Sequence, residues 1–301
     1  MRTYPGNKNM SNRPLKVLDG GMGSELIARG IMPSSGLWSA QALLDSPKAV
    51  MQVHNDYIQA GAEVIITNSY STIPSYLAKA GMSERYEDLT EIAAKMARAA
   101  ADAADRSIEV AGCLPPLSES YRHDLVPSDE EGFAVYANLV TVLSPWVDLY
   151  LCETMSSARE AANAARAARS VDTSKPLWVA WTLEETPGGG LRSGESIAEA
   201  LAAVAPYSPD AYLFNCTAPE AISVALEQIL KLTDKPVGAY PNRYHIPPGW
   251  TLDNDVGTEY REMSVEEFMH YITTWRTMGA SVLGGCCGIG PELIAALAAS
   301  R

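Results

Sequence analysis

Eight short apolar runs recur along this chain, each followed by a stretch of helical periodicity. They are Lys16–Gly21, Glu63–Ser69, Ile108–Leu114 and Asp148–Glu153, then Pro176–Thr182, Ala211–Cys216, Pro236–Tyr240 and Ser281–Cys286. All are rich in Val, Ile, Leu and Ala, and none alternates with polar residues, as expected for strands buried on both faces. Strands that alternate with helices imply a parallel sheet with helical crossovers. Eight such units in 301 residues predict an α/β chain that folds as a single-domain (β/α)8 TIM barrel. A doubly wound open sheet is the alternative, but its ligand loops would cluster near one switch point. Here the polar and glycine-rich stretches are spread over all the strand ends.

The intervening segments carry helix-start signals. Ser46-Pro47 reads as an N-cap and first-turn proline, with Val50, Val53 and Tyr57 on one face. Ser128 with Glu131 and Ser264 with Glu267 both fit a capping box. Leu89, Ile92, Ala93 and Met96 mark another apolar stripe, and Pro219 and Pro291 open two more helices. Residues 1–14 are polar and read as a flexible N-terminal tail, which leaves 15–301 for the barrel domain.

The formal charge of −13 argues against a nucleic-acid partner, which would call for a basic surface. No apolar run approaches the ~18–20 residues needed to span a bilayer. Met1–Gly6 has no apolar signal core, so the chain reads as soluble and cytoplasmic. Five cysteines, two of them adjacent, make a poor disulfide framework. In a reducing compartment they point to metal or catalysis.

In a barrel every strand's C-terminal end opens on one mouth. Asp19-Gly20-Gly21, Thr67-Asn68-Ser69-Tyr70, Glu153-Thr154, Asn215-Cys216 and Gly285-Cys286-Cys287 all stand at such ends. Cys216, Cys286 and Cys287 would then share one rim. Three soft sulfur ligands without a fourth suit a zinc ion that keeps one position open. Adjacent residues in a strand point to opposite faces, so the vicinal pair can share a metal only if the chain turns there, which the flanking glycines permit. The alternative is three buried cysteines acting as small hydrophobes. Cys113 and Cys152 have no such partners and read as core or mouth-lining residues.

Asp19 and Glu153 are two carboxylates at the mouth, fit to hold an ammonium group, and the Gly20 and Gly21 amides are fit for a carboxylate. Asp19 could instead simply form a turn, and Glu153 could simply charge a helix start. Trp38, in the loop after the first strand, offers an aromatic face to a cation, as do Tyr70, Tyr76, Tyr121, Tyr240 and Trp181. Gly188-Gly189-Gly190 with Arg192 is a flexible loop without the Lys-Ser/Thr ending of a phosphate loop. His54, His123, His245 and His270 show no ligand pair at helical spacing, although His245 follows the seventh strand and is placed to line the pocket.

Asp19-Gly20-Gly21-Met22-Gly23-Ser24-Glu25-Leu26, Asn215-Cys216-Thr217 and Gly284-Gly285-Cys286-Cys287-Gly288 resemble the homocysteine S-methyltransferase family, over about Val17 to Leu297. The resemblance implies a zinc-dependent barrel transferase that moves a methyl group from a small cationic donor to homocysteine, giving methionine. It places the zinc thiolates on Cys216, Cys286 and Cys287 and the substrate amino group on Asp19 and Glu153. The substrate carboxylate falls to the amides of Gly20 and Gly21 with Thr67 or Ser69, and Trp38 lies on the donor side. Thr154 and Ser71 stand where the betaine enzymes carry aromatics. The resemblance therefore favours a sulfonium donor such as S-methylmethionine. Two rival readings of the same residues are a zinc-independent barrel hydrolase using Asp19 and Glu153, and a non-catalytic protein that binds a sulfur amino acid. The oligomeric state is left open.

Overall fold

The computed structural model describes residues 13–31, 37–251 and 256–301. Its strands are β1 (Lys16–Val17), β2 (Val64–Ile66), β3 (Glu109–Leu114), β4 (Leu149–Met155), β5 (Leu177–Trp181), β6 (Ala211–Asn215), β7 (Val237–Tyr240), β8 (Tyr244–His245), β9 (Glu259–Tyr260) and β10 (Val282–Leu283). Eight of them form one parallel sheet in the order β1-β10-β7-β6-β5-β4-β3-β2. The ends meet where Leu18 bridges Val64, Glu63 N–H donates to Val17 O at 2.8 Å and Asp19 N–H donates to Val64 O at 3.0 Å. Helices fill the crossovers, so this is the expected (β/α)8 barrel. Seven of the eight apolar runs contain a barrel strand whole, and the fourth, Asp148–Glu153, holds all of β4 but its last two residues, Thr154 and Met155.

Apart from β4, the runs are longer than the strands. β1 stops at Val17 and β10 at Leu283, so Asp19-Gly20-Gly21 and Gly284–Cys286 leave the ladder to build the mouth. Alternate residues divide the core. Leu18, Val64, Leu149, Leu151, Leu213 and Val282 fill the barrel interior. Val17, Ile65, Tyr150, Cys152, Val179 and Leu283 pack outward in the helix-side core. This two-sided burial is why the runs do not alternate in polarity.

Ser128 and Glu131 form the expected capping box. Ser264 does accept Glu267 N–H at 3.1 Å, but the Glu267 carboxylate turns to Arg261 at 2.6 Å and leaves the box half made. Ser46 makes no side-chain cap; Pro47 alone marks that start. Ser196 with Glu199 is a further capping box that the sequence reading passed over. The antiparallel hairpin of β8 and β9 was also unforeseen. Its two-residue strands fall below any periodicity signal. Residues 1–12 of the expected tail lie outside the described residues. Arg13 is tied to the barrel: its guanidinium donates to Asp234 O and its carbonyl accepts from Arg276. Among the described residues no helix is long and apolar enough to cross a membrane.

Candidate metal centre and substrate cavity

The C-terminal strand ends enclose a cavity of about 330 Å³. Asp19, Gly20, Gly21, Thr67, Glu153, Cys216, Cys286, Cys287 and Trp38 all line it. Ser69 does not. Its hydroxyl pairs with Thr67 Oγ1 at 2.8 Å, and Thr67 Oγ1 also accepts Cys113 N–H at 3.0 Å. The two hydroxyls thus stitch the end of β2 to β3.

Three local devices bring the sulfurs together. Beyond β10 the chain turns over Cys286–Ile289, closed by Ile289 N–H to Cys286 O at 3.0 Å. Gly288, third in the turn, has φ +82°, the left-handed position that a type II turn reserves for glycine. The vicinal cysteines therefore sit on a turn and face the same side. Gly285 lets this turn pack closely, because a Cβ there would lie 2.1 Å from Ile289 Cγ2. Across the mouth, Cys216 follows β6 with φ +49°, which aims it away from the strand's own alternation.

The Sγ atoms of Cys216, Cys286 and Cys287 all lie within 4.8 Å of one another, with Cys216 and Cys287 3.8 Å apart. All five cysteines are free thiols. Tyr121 Oη lies 3.0 Å from Cys216 Sγ and Asn242 Nδ2 lies 3.8 Å from it. The cluster titrates as a unit. The S–H groups of Cys286 and Cys287, then the Tyr121 hydroxyl, hold the Cys216 thiol far below its usual range. The first negative charge in turn pushes Cys286 and Cys287 up. Three converging soft donors, with the fourth side facing a cavity, fit a thiophilic metal with one open position.

Glu153 is presented by a bulge. β4 spends three steps from Cys152 to Met155 where β5 spends two. The extra residue lets neighbours Glu153 and Thr154 both face the cavity. Thr154 has φ +58°, and Trp38 and Tyr121, at φ +48° and +67°, also line the cavity. With Cys216, four of the five described non-glycine residues with left-handed backbone therefore surround one space. Strain of this kind collects at sites that need a fixed geometry.

Both carboxylates are buried. Burial pushes Glu153 up to about 7, against the pull of the Cys113 S–H, whose sulfur lies 3.1 Å from Oε2. Burial also raises Asp19, and the Glu153 charge adds to it. Asp19 Oδ2 accepts Ile66 N–H at 2.8 Å, while Oδ1 has no partner among the described residues. An orphaned buried carboxylate oxygen calls for a cationic donor. The Gly21 amide already donates to Ile289 O at 3.1 Å, whereas the Gly20 amide has no acceptor among the described residues. The amides of Met22 and Gly23, which begin the helix Met22–Ala28, also lack intrahelical acceptors.

The cavity's aromatic side holds Trp38, Tyr70, Tyr76 and Tyr121, as expected. Tyr240 and Trp181 are elsewhere. Tyr240 points into the barrel interior beside Glu153, and Trp181 packs on Tyr212 in the helix-side core. Sequence reasoning missed Tyr244, Ile246 and Trp250, which cover the cavity from the β7 side. The stretch from Tyr240 to Val265 is far longer than the roughly two to six residues of an ordinary βα loop, and that length was a readable signal. His245 lies outside the cavity, 3.9 Å from Glu185. His54 is buried in the helix Pro47–Gln59, and Cys152 belongs to the helix-side core.

Comparison with known proteins agrees with this geometry. The homocysteine S-methyltransferase family profile matches residues 16–300. The chain is 31% identical to homocysteine S-methyltransferase 4 of Zea mays, over 94% of this chain and 88% of that one. It is 30% identical to the selenocysteine Se-methyltransferase of Brassica oleracea var. italica, over 93% and 87%. The crystal structure of the metallated homocysteine methyltransferase MmuM from Escherichia coli superposes with a TM-score of 0.80 at 28% identity, covering 97% of this chain and 98% of that one. A barrel whose mouth gathers three thiols and two buried carboxyls, together with a full-length family match, establishes that this chain belongs to the homocysteine S-methyltransferase family.

Proposed function

We propose that this chain methylates homocysteine from a sulfonium donor, giving methionine, at a zinc centre held by Cys216, Cys286 and Cys287. Bound zinc would act as a Lewis acid that keeps an incoming thiol deprotonated at neutral pH, where a free alkyl thiol with a pKa near ~8.5 is mostly protonated. The chain's own residues place the reactants. Asp19 and Glu153 receive the substrate ammonium, and that cation meets the unpaired Asp19 Oδ1. It also draws both carboxyls back to their ionised forms. The Gly20 N–H, with the Thr67 hydroxyl nearby, receives the carboxylate.

The donor lies against Trp38, Tyr70, Tyr76 and the Tyr244–Trp250 cover, whose rings favour a cation. The homocysteine sulfur forms the new bond to the methyl carbon as the old bond to the sulfonium sulfur breaks. The electron pair stays on the departing thioether, so the leaving group needs no proton. With zinc bound, the thiolates of Cys216, Cys286 and Cys287 would leave one net negative charge, which would also favour a cationic donor over a neutral one. No histidine is needed for a proton step, and none lines the cavity among the described residues.

The observation that carries this reading is that three thiols and an orphaned carboxylate oxygen share one cavity. The test is a donor screen with homocysteine, in which methionine is followed by mass spectrometry with S-methylmethionine, another sulfonium compound and betaine. Turnover with the sulfonium compounds and little with betaine is expected; methionine from betaine alone would overturn the donor assignment. The similarity to the Brassica selenocysteine Se-methyltransferase favours a second acceptor, the selenol of selenocysteine, which the same screen repeated with selenocysteine reads as the Se-methylated product.

A further inference from the structure

Arg192 stands on the loop after β5, one residue past the antiparallel bridge between Leu183 and Leu191. It is only 8% exposed. A guanidinium this deep needs its charge and its donors met. Three different loops meet the charge and both terminal nitrogens, while Nε has no partner among the described residues. Nη2 donates to Glu185 Oε1 at 2.7 Å on the same loop. Nη1 donates to Ile246 O at 3.3 Å, on the cover that follows β8. Cζ stands 5.1 Å from the ring centroid of Tyr121, on the loop after β3. Glu185 Oε1 also accepts Ile246 N–H at 3.4 Å, so the pair holds both backbone groups of Ile246. On the cavity side of this arrangement, Tyr121 Oη reaches Cys216 Sγ at 3.0 Å, and Trp250 packs edge-on 5.6 Å from the Tyr121 ring.

We propose that Arg192 is a positioning residue for methyl transfer: paired with Glu185, it clasps the Ile246–Trp250 cover and the Tyr121 ring against Cys216. The three loops are thereby assembled before substrate enters. Arginine is required because one planar group must stack on a ring and at the same time fork to a carboxylate and a carbonyl. Lysine keeps the charge but has no such plane. Only the last link, from Tyr121 to Cys216, rests on the functional reading above; the clasp itself is a property of three loops.

The test uses the full chain carrying Arg192→Lys, which spares Glu185 an unpaired burial. Hydrogen exchange without substrate reads the clasp, and kcat/KM with homocysteine and S-methylmethionine reads its effect on transfer. Exchange across residues 244–250 is expected to quicken about tenfold while β5 and β6 keep wild-type protection, and kcat/KM is expected to fall about tenfold. In a Tyr121→Phe background, Arg192→Lys should cost about threefold or less, because the hydroxyl it positions is gone. Tyr121→Leu, which removes the ring under an intact Arg192, should quicken the same segment and serves if Arg192→Lys fails to fold. Wild-type exchange across 244–250 in these variants overturns the proposal, and so does an equal cost of Arg192→Lys in both backgrounds. If the wild-type chain gives no turnover with this donor, the functional reading falls instead, and the exchange measurement still decides the clasp.

Discussion

Asn215, at the end of β6, holds Thr154, at the end of β4. Its Oδ1 accepts Thr154 N–H at 3.0 Å and its Nδ2 donates to Thr154 Oγ1 at 2.8 Å. Thr154 is left-handed, and so is Cys216, the residue after Asn215. One fully buried amide thus braces both the residue next to Glu153 and a cavity-facing thiol.

Asn215→Ala should therefore damage the site more than the scaffold. The lost pair of buried hydrogen bonds should destabilise the protein by about 2–3 kcal/mol in denaturant unfolding. Zinc retention should fall in the same variant. A variant with full zinc content and wild-type turnover would show that neither strained residue depends on Asn215.

The purified protein should carry about one zinc per chain by elemental analysis. Cys→Ala at 216, 286 or 287 should each abolish retention and transfer, whereas Cys152→Ala, in the helix-side core, should keep the metal. Full activity in Cys287→Ala would overturn the assignment.

Glu153→Gln should raise KM for homocysteine about 10–100-fold, the worth of one charge-assisted hydrogen bond to an ammonium. Asp19→Asn should do likewise, with zinc content unchanged in both. Loss of kcat alone, with KM intact, would speak against the amine-binding role.

Acid should weaken the fold through His54. Both ring nitrogens are buried without partners among the described residues, and burial pushes the imidazole down to about 4. Below about pH 6.5 the unfolded chain takes up a proton that the native state refuses until about pH 4. The His54 contribution is complete above that window and is lost as pH falls through it, for a total of about 3 kcal/mol. Glu153 and Glu160, pushed up to about 7 by burial, shift stability the other way in the same window, so the His54 decline is read as the difference between wild type and His54→Leu in denaturant titrations from pH 7.5 to 4.5.

Gly285→Ala should fail where most surface changes would pass, because its Cβ would meet Ile289 Cγ2 at 2.1 Å. We expect a loss of about 1–3 kcal/mol from overpacking, read by thermal unfolding, with metal retention reduced in the folded fraction.

The barrel was legible because doubly buried parallel strands write continuous apolar runs, and because the fold fixes which strand ends share a mouth. That topology alone places Cys216 beside Cys286 and Cys287, and Asp19 near Glu153. What stayed hidden was set by three-dimensional detail. Tyr240 and Trp181 end strands, but alternation and bulging send one into the barrel and the other toward the helices. The Gly21 amide and the Ser69 hydroxyl looked available and are taken by local partners. Trp250 approaches from a long irregular loop that no period announces. Ser264 and Glu267 have the spacing of a reciprocal cap, but a nearby arginine competes for the glutamate.

The bulge in β4 makes the identity of the groups at the mouth a matter of counting. Leu149 and Leu151 face inward, Tyr150 and Cys152 outward, and strict parity would turn Met155 inward; in fact it packs with the helices. Deleting a single residue at Thr154 would restore parity with Met155 still packed against the helices, and would strip the rim of its hydroxyl while leaving Glu153 in place. In this scaffold a one-codon change in length can redraw the chemistry presented to a substrate without touching the remaining seven strands.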